Sequence, residues 1–216
     1  MVLKAKGINI WFPFFLILHE KLILMIMNIK DLIFKTRSCR RFNEEHQIDL
    51  KTLESLVGLA RLSASGANRQ PLKYLIFNSP ADCEKVFPSL AWAGYLADWP
   101  GPEKGERPSG YIIILGDKTI ADSFGVDHGI AAQSIMLGAT EAGLGGCMIS
   151  SVKREKLRNE LKIPENFDIL IVLALGKPVE KIIIDEIKNG DVKYWRDSEK
   201  NHHVPKRPLT ELIIKL

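Results

Sequence analysis

Arg37-Ser38-Cys39-Arg40-Arg41-Phe42 and, one helix-length further on, Ser65-Gly66-Ala67-Asn68-Arg69-Gln70-Pro71 are the segments on which the reading of this chain turns. Arginine is always charged and donates hydrogen bonds in a planar, bidentate fork, so Arg37 and Arg40, with the Ser38 hydroxyl, suit a phosphate. Asn68 and Gln70 each carry both donors and an acceptor and can read a heterocycle whose edge alternates C=O and N–H. Two arginines beside a serine are, alone, an ordinary solvated surface. It is the pairing of the segments that points to a phosphorylated, amide-edged cofactor.

Outward from these segments the chain alternates helices and strands. Ile29, Leu32, Ile33 and Thr36 fall at helical spacing and predict a short helix ahead of the arginine loop. Asp49 is placed to cap a second helix with Leu50, Leu53, Leu56, Val57 and Ala60 on one face, and Ser63-Ala64-Ser65-Gly66 ends it. Residues 73–77, 111–115 and 169–175 read as strands, the last two apolar throughout and so buried on both faces of a sheet. Residues 124–142 form the strongest helix, and Gly129, Ala131, Ala132, Ser134, Gly138, Ala139 and Ala142 let another helix approach closely, in a monomer core or at the centre of a dimer. Gly143 is its expected terminator. Between the first two strands, Trp92, Tyr95 and Trp99 precede a Pro- and Gly-rich stretch over 100–108; such insertions are lids or binding loops, although aromatics also anchor cores.

Two more segments complete a pattern: Gly143-Leu144-Gly145-Gly146-Cys147-Met148-Ile149 and Val204-Pro205-Lys206-Arg207-Pro208-Leu209. The four motifs, in this order, resemble the nitroreductase family of FMN-dependent oxidoreductases, whose signature is an Arg-Ser-x-Arg-x-Phe-like run followed by a Ser-x-x-Asn-x-Gln-Pro turn. The resemblance spans roughly residues 28–213. It implies an α+β three-layer sandwich, a mixed and mainly antiparallel sheet flanked by helices, in an intertwined homodimer with FMN at the subunit interface. Arg37 and Ser38 would hold the phosphate and ribityl end, with the Lys206–Arg207 pair returning to the phosphate. Arg40 would place a cation near the flavin N1 and C2 carbonyl, favouring the reduced, negatively charged ring. Ser65, Asn68 and Gln70 would meet the ring and ribityl chain, and the backbone of Met148, Ile149 and Ser150 would run past the ring, two glycines permitting the approach.

The family's activity would be hydride transfer from NAD(P)H, through flavin N5, to a nitroaromatic, quinone or similar small acceptor in a two-step cycle. No side chain is then required as acid, base or nucleophile, and none stands out; His128, Glu141, His202 and His203 read as core, interface or surface polarity. Flavin fragmentation or reductive dehalogenation on the same fold, and a non-catalytic flavin-binding sensor, are the alternatives. The Ile182-to-Leu216 segment would be an arm wrapping the partner subunit. Ala64 departs from the Pro common in relatives, which loosens the turn without removing a donor.

Composition agrees with one domain over 28–216: 46% hydrophobic and 26% charged residues are ordinary globular values, and a net charge of +4 is interspersed, which favours an anionic ligand and argues against nucleic acid as a partner. Cys39, Cys83 and Cys147 are odd in number and far apart, implying neither disulfides nor a metal site and a reducing cytoplasmic setting. The apolar stretch over 1–27 is broken by Pro13 and by His19-Glu20-Lys21, so neither half reaches the roughly 20 residues of a membrane span. It reads as an extension outside the domain, from an upstream start ahead of Met25 or Met27, with a membrane-associating helix as the alternative.

Overall fold

Two apolar runs build the centre of the sheet. In the computed structural model, which describes residues 28–215, these are β3 (Gly110–Asp117) and β5 (Phe167–Pro178), paired antiparallel along their length. The 1–27 stretch and the expectation attached to it lie outside the described residues. β2 (Leu72–Phe77) pairs with β3, while β1 (Phe42–Asn43) and β4 (Gly145–Ile149) pair with β5, every ladder antiparallel. All of β3 is buried, as an uninterrupted apolar strand requires.

Side-chain alternation along β3 divides the core into two layers. Tyr111, Ile113 and Leu115 pack with Cys83 and Val86 of α3 (Pro80–Val86) and Leu157 of α5 (Arg154–Leu161). Ile112 and Ile114 pack with Leu53, Leu56 and Ala60 of α2 (Leu50–Arg61) and Ala132, Ile135 and Met136 of α4 (Asp127–Glu141). Helices therefore cover both faces, giving the three-layer α+β sandwich.

Local chemistry sets the helix ends. The Asp49 carboxylate accepts the Thr52 amide at 2.7 Å and caps α2. α4 starts at Asp127 rather than 124 because Gly125 is left-handed, at φ +49°, and Gly143, at φ +71°, follows its end. A Cβ on Gly138 would run into Leu59 and come within 3.0 Å of Leu56, so the small residues of α4 serve close packing on α2 of the same chain. The Gly145–Gly146 pair has a packing reason too: a Cβ on Gly146 would lie 2.6 Å from the Ala174 carbonyl oxygen, and one on Gly145 2.6 Å from Pro178.

The chain divides into units over residues 1–35 and 36–216. The first contains α1 (Ile29–Lys35), which begins where Asn28 Oδ1 accepts the amides of Lys30 and Asp31. The second ends in a small sheet of β6 (Ile182–Glu186), β8 (His202–Lys206) and β7 (Trp195–Arg196), in that order, with β6 and β8 parallel. The segment expected to wrap the partner subunit folds, within the chain, as this sheet as far as Lys206. Beyond it, α6 (Leu209–Leu212) and the following residues leave Leu209, Leu212, Ile213 and Ile214 exposed. Among the described residues, no helix is long and apolar enough to cross a membrane.

Candidate functional site

The first polar segment is docked onto the third. Ser38 forms a parallel bridge with Gly146, and the Cys39 amide donates to the Gly146 carbonyl at 2.8 Å, so Ser38 lies exposed beside the strand that ends in Met148, Ile149 and Ser150. Ile149 is buried in the core, Met148 is half-buried and Ser150 is exposed. Arg37 is half-buried; desolvation lowers its pKa from 12.5, which leaves the guanidinium cationic. One residue earlier, the Thr36 hydroxyl meets that of Thr140 at 2.8 Å; since Thr140 donates to the Met136 carbonyl, Thr36 is the donor. The loop is thereby anchored to the C-terminal end of α4.

Arg40 is turned the other way, into a buried cluster. Its Nη1 donates to His202 Nε2 at 3.1 Å, and the guanidinium lies 4.8 Å from the Tyr194 ring centroid. Its backbone amide donates to Glu180, whose second oxygen accepts from Arg196 at 2.9 Å. Because arginine can only donate, His202 Nε2 is the acceptor and Nδ1 carries the proton. Burial, with Arg40 and Arg196 adding to it against Glu180, pushes the His202 pKa down to about 4. Arg196 in turn lies over Trp99, 4.1 Å from its centroid. The three aromatics of the insertion have separate places: Trp92 is buried against Phe87, whereas Tyr95 and Trp99 line a cavity of about 550 Å³ with Arg41, Glu106, Arg196 and Lys200. Arg41, not singled out from sequence, makes a two-pronged pair with Glu106.

The second polar segment is a tight turn with Ala67, Asn68 and Gln70 at φ +50°, +53° and +52°. Left-handed backbone costs a residue with a Cβ roughly 1–2 kcal/mol, so the turn needs support. Asp127, buried at the start of α4, gives it: one carboxylate oxygen accepts the Ser65 hydroxyl at 2.6 Å and the other the Gly66 amide at 2.9 Å. Ser65 Oγ also accepts the Gln70 amide at 2.9 Å. Asn68 and Gln70 stand exposed.

The structure therefore brings the first and third motifs together and sets the second apart. The Thr36–Thr140 bond lies at one end of α4 and the Asp127–Ser65 bond at the other, about 20 Å along the helix. Lys206 ends β8 and Arg207 follows it; both are exposed, Arg207 reaching Glu211 at 2.9 Å. Sequence reasoning missed Glu180, Arg196 and Asp127. The thiols are free and buried, and burial raises the pKa of each, so none is a reactive thiolate. Among the described residues there is no group of His, Cys, Asp or Glu able to hold a metal.

Known proteins share this fold. The nitroreductase family model matches residues 33–177. An Archaeoglobus fulgidus protein, provisionally named NADH dehydrogenase/NAD(P)H nitroreductase, is 25% identical over 158 residues, 69% of this chain and 85% of that protein. A nitroreductase family protein from Clostridium novyi NT superposes with a TM-score of 0.59 at 24% identity, over 70% of this chain and 86% of its own. The FMN-dependent nitroreductase of Clostridium difficile R20291 gives 0.55 at 22% identity, over 74% and 91%. With its four motifs carried on this sheet and these helices, the chain belongs to the nitroreductase family.

Proposed function

We propose that the chain is an FMN-dependent oxidoreductase that passes hydride from NAD(P)H to a nitroaromatic, quinone or similar small acceptor, in a two-step cycle. The observation that carries this reading is the bridge from Ser38 to Gly146, which joins the arginine loop to the Met148–Ser150 strand end on a nitroreductase-family fold. The donor set suits FMN. Arg37, Ser38, Lys206 and Arg207 offer donors and positive charge to a phosphate, while Asn68 and Gln70 are exposed amides on a fixed turn. Bound FMN would supply hydride transfer at its ring. The chain's own residues bind and orient it: the guanidinium of Arg37 neutralises phosphate charge, the Met148–Ser150 backbone lines the ring's path, and the folded core walls off water.

A site shared between two copies of the chain is part of this reading. The turn carrying Asn68 and Gln70 is held at one end of α4 and the arginine loop at the other, about 20 Å along the helix. A homodimer with FMN between subunits places one copy's turn against the other's loop. The three free cysteines fit a reducing cytoplasmic setting.

An absorbance spectrum of the purified protein, followed by denaturation and chromatography of the released chromophore, tests the reading. FMN at about one per chain, and acceptor-dependent NADH or NADPH oxidation with menadione, are expected. A colourless protein that fails to take up added FMN would remove the cofactor, and FMN-loaded protein with no acceptor-dependent turnover would remove the activity.

A further inference from the structure

We infer that Asp127 and Ser65 are positioning residues that fix the ring-reading turn, and that Asn68 and Gln70 alone present its side chains to the ligand; this rests on the flavin reading of the site. A serine hydroxyl has one proton, and here it goes to Asp127, because a carboxylate can only accept. The same oxygen takes the Gln70 amide, so the hydroxyl works as an internal strut. The carboxylate thus holds both ends of the turn: Gly66 directly, and Gln70 through Ser65. Between these fixed points lie the left-handed Ala67 and Asn68, a conformation that relaxes unless surrounding bonds over-determine it.

The product of the strut is a defined hydrogen-bonding edge. Gln70 Nε2 donates to Asn68 Oδ1 at 3.2 Å and to the Asn68 carbonyl at 3.3 Å. With the amides in this orientation, the Asn68 amide N–H groups and the Gln70 carbonyl oxygen remain for a ligand, a donor beside an acceptor. That complements a ring edge carrying a C=O next to an N–H. Asp127 is the first residue of α4, where the helix dipole favours negative charge. A cavity of about 150 Å³ lined by Ser65, Gln70, Tyr74 and Asp127 runs alongside, so the turn has room to collapse if the carboxylate is removed.

The test uses Asp127→Ala, Ser65→Ala, the double variant and Ser65→Thr, read by amide hydrogen exchange without cofactor and by FMN fluorescence quenching. In Asp127→Ala the amides of Gly66 and Gln70 should exchange faster while β3 stays protected, which separates a loosened turn from an unfolded chain. Each alanine variant should weaken FMN binding roughly tenfold, and the double variant no further, because both break one strut. Ser65→Thr keeps the hydroxyl and should restore binding to within about twofold of the parent. Unchanged exchange at Gly66 and Gln70 overturns the strut. Additive losses, roughly a hundredfold in the double variant, would make Ser65 a direct ligand and overturn the assignment. If exchange quickens as expected but the parent binds no FMN, the strut stands and the flavin reading of its purpose falls.

Discussion

Glu180 carries a formal charge on a side chain with no solvent exposure, and two partners hold it there: the Arg40 amide and the Arg196 guanidinium. Removing one member of a buried pair leaves the other unpaired in a low-dielectric setting, which costs far more than losing a solvated ion pair. Glu180→Ala is therefore expected to lower unfolding stability by about 3 kcal/mol in urea titration. Lys85→Ala, which breaks the exposed Lys85–Asp82 pair, should cost much less by the same measurement. Equal losses from the two variants would show that the Glu180 cluster is solvated in solution. Nothing local marks Glu180 in the sequence, because its importance comes from partners 140 and 16 residues away. The motif residues are different: their side-chain types declare their chemistry at once, so Arg37, Ser38, Asn68 and Gln70 are legible without a structure. The role of Gly146 is not, since a glycine before a strand looks the same whether a ligand or the Ala174 carbonyl comes near it.

At the scale of the element, the C-terminal sheet of β6, β8 and β7 is held on the chain by a histidine that is neutral when folded. His202 takes up its proton near 6.5 when unfolded but only near 4 when folded, so between those values unfolding binds a proton and stability falls as pH falls. The loss is complete by about pH 4. Its neighbour His203 behaves oppositely: burial lowers its pKa, but hydrogen bonds to Asp197 and Asp185 outweigh this and raise it, so its contribution is full below 6.5 and flat across the window. Thermal unfolding followed from pH 7 to 4.5 should show a shallower decline in His202→Gln, whose amide can still accept from Arg40, than in the parent. An identical slope would place the pH dependence on the carboxylates alone. β3 and β5 are readable from sequence because a buried strand needs an unbroken apolar run. The C-terminal sheet is harder, since β7 is two residues long and β6 pairs with β8 only after a long excursion, leaving no periodicity to read.

For the whole molecule, the decisive fact is the length of α4, which keeps the arginine loop and the Asn68–Gln70 turn about 20 Å apart within one chain. The sequence shows both motifs and their order but not this separation, because distance across a fold depends on which end of which helix each loop meets. If each flavin site takes its loop from one copy and its turn from the other, defects in the two motifs must complement. Arg37→Ala removes a charge-assisted phosphate contact and Asn68→Ala a ring-reading amide, so each homodimer should lose FMN at concentrations where the parent retains it. Unfolding and refolding the two variants together gives hybrids in which one site carries both defects and the other carries neither. With random pairing half the dimers are hybrids, so roughly a quarter of all sites should regain parental affinity. FMN titration of the mixture, with sedimentation to confirm dimers, measures that fraction directly. Recovery near zero would mean that loop and turn serve the same site within one chain, and would overturn the shared site.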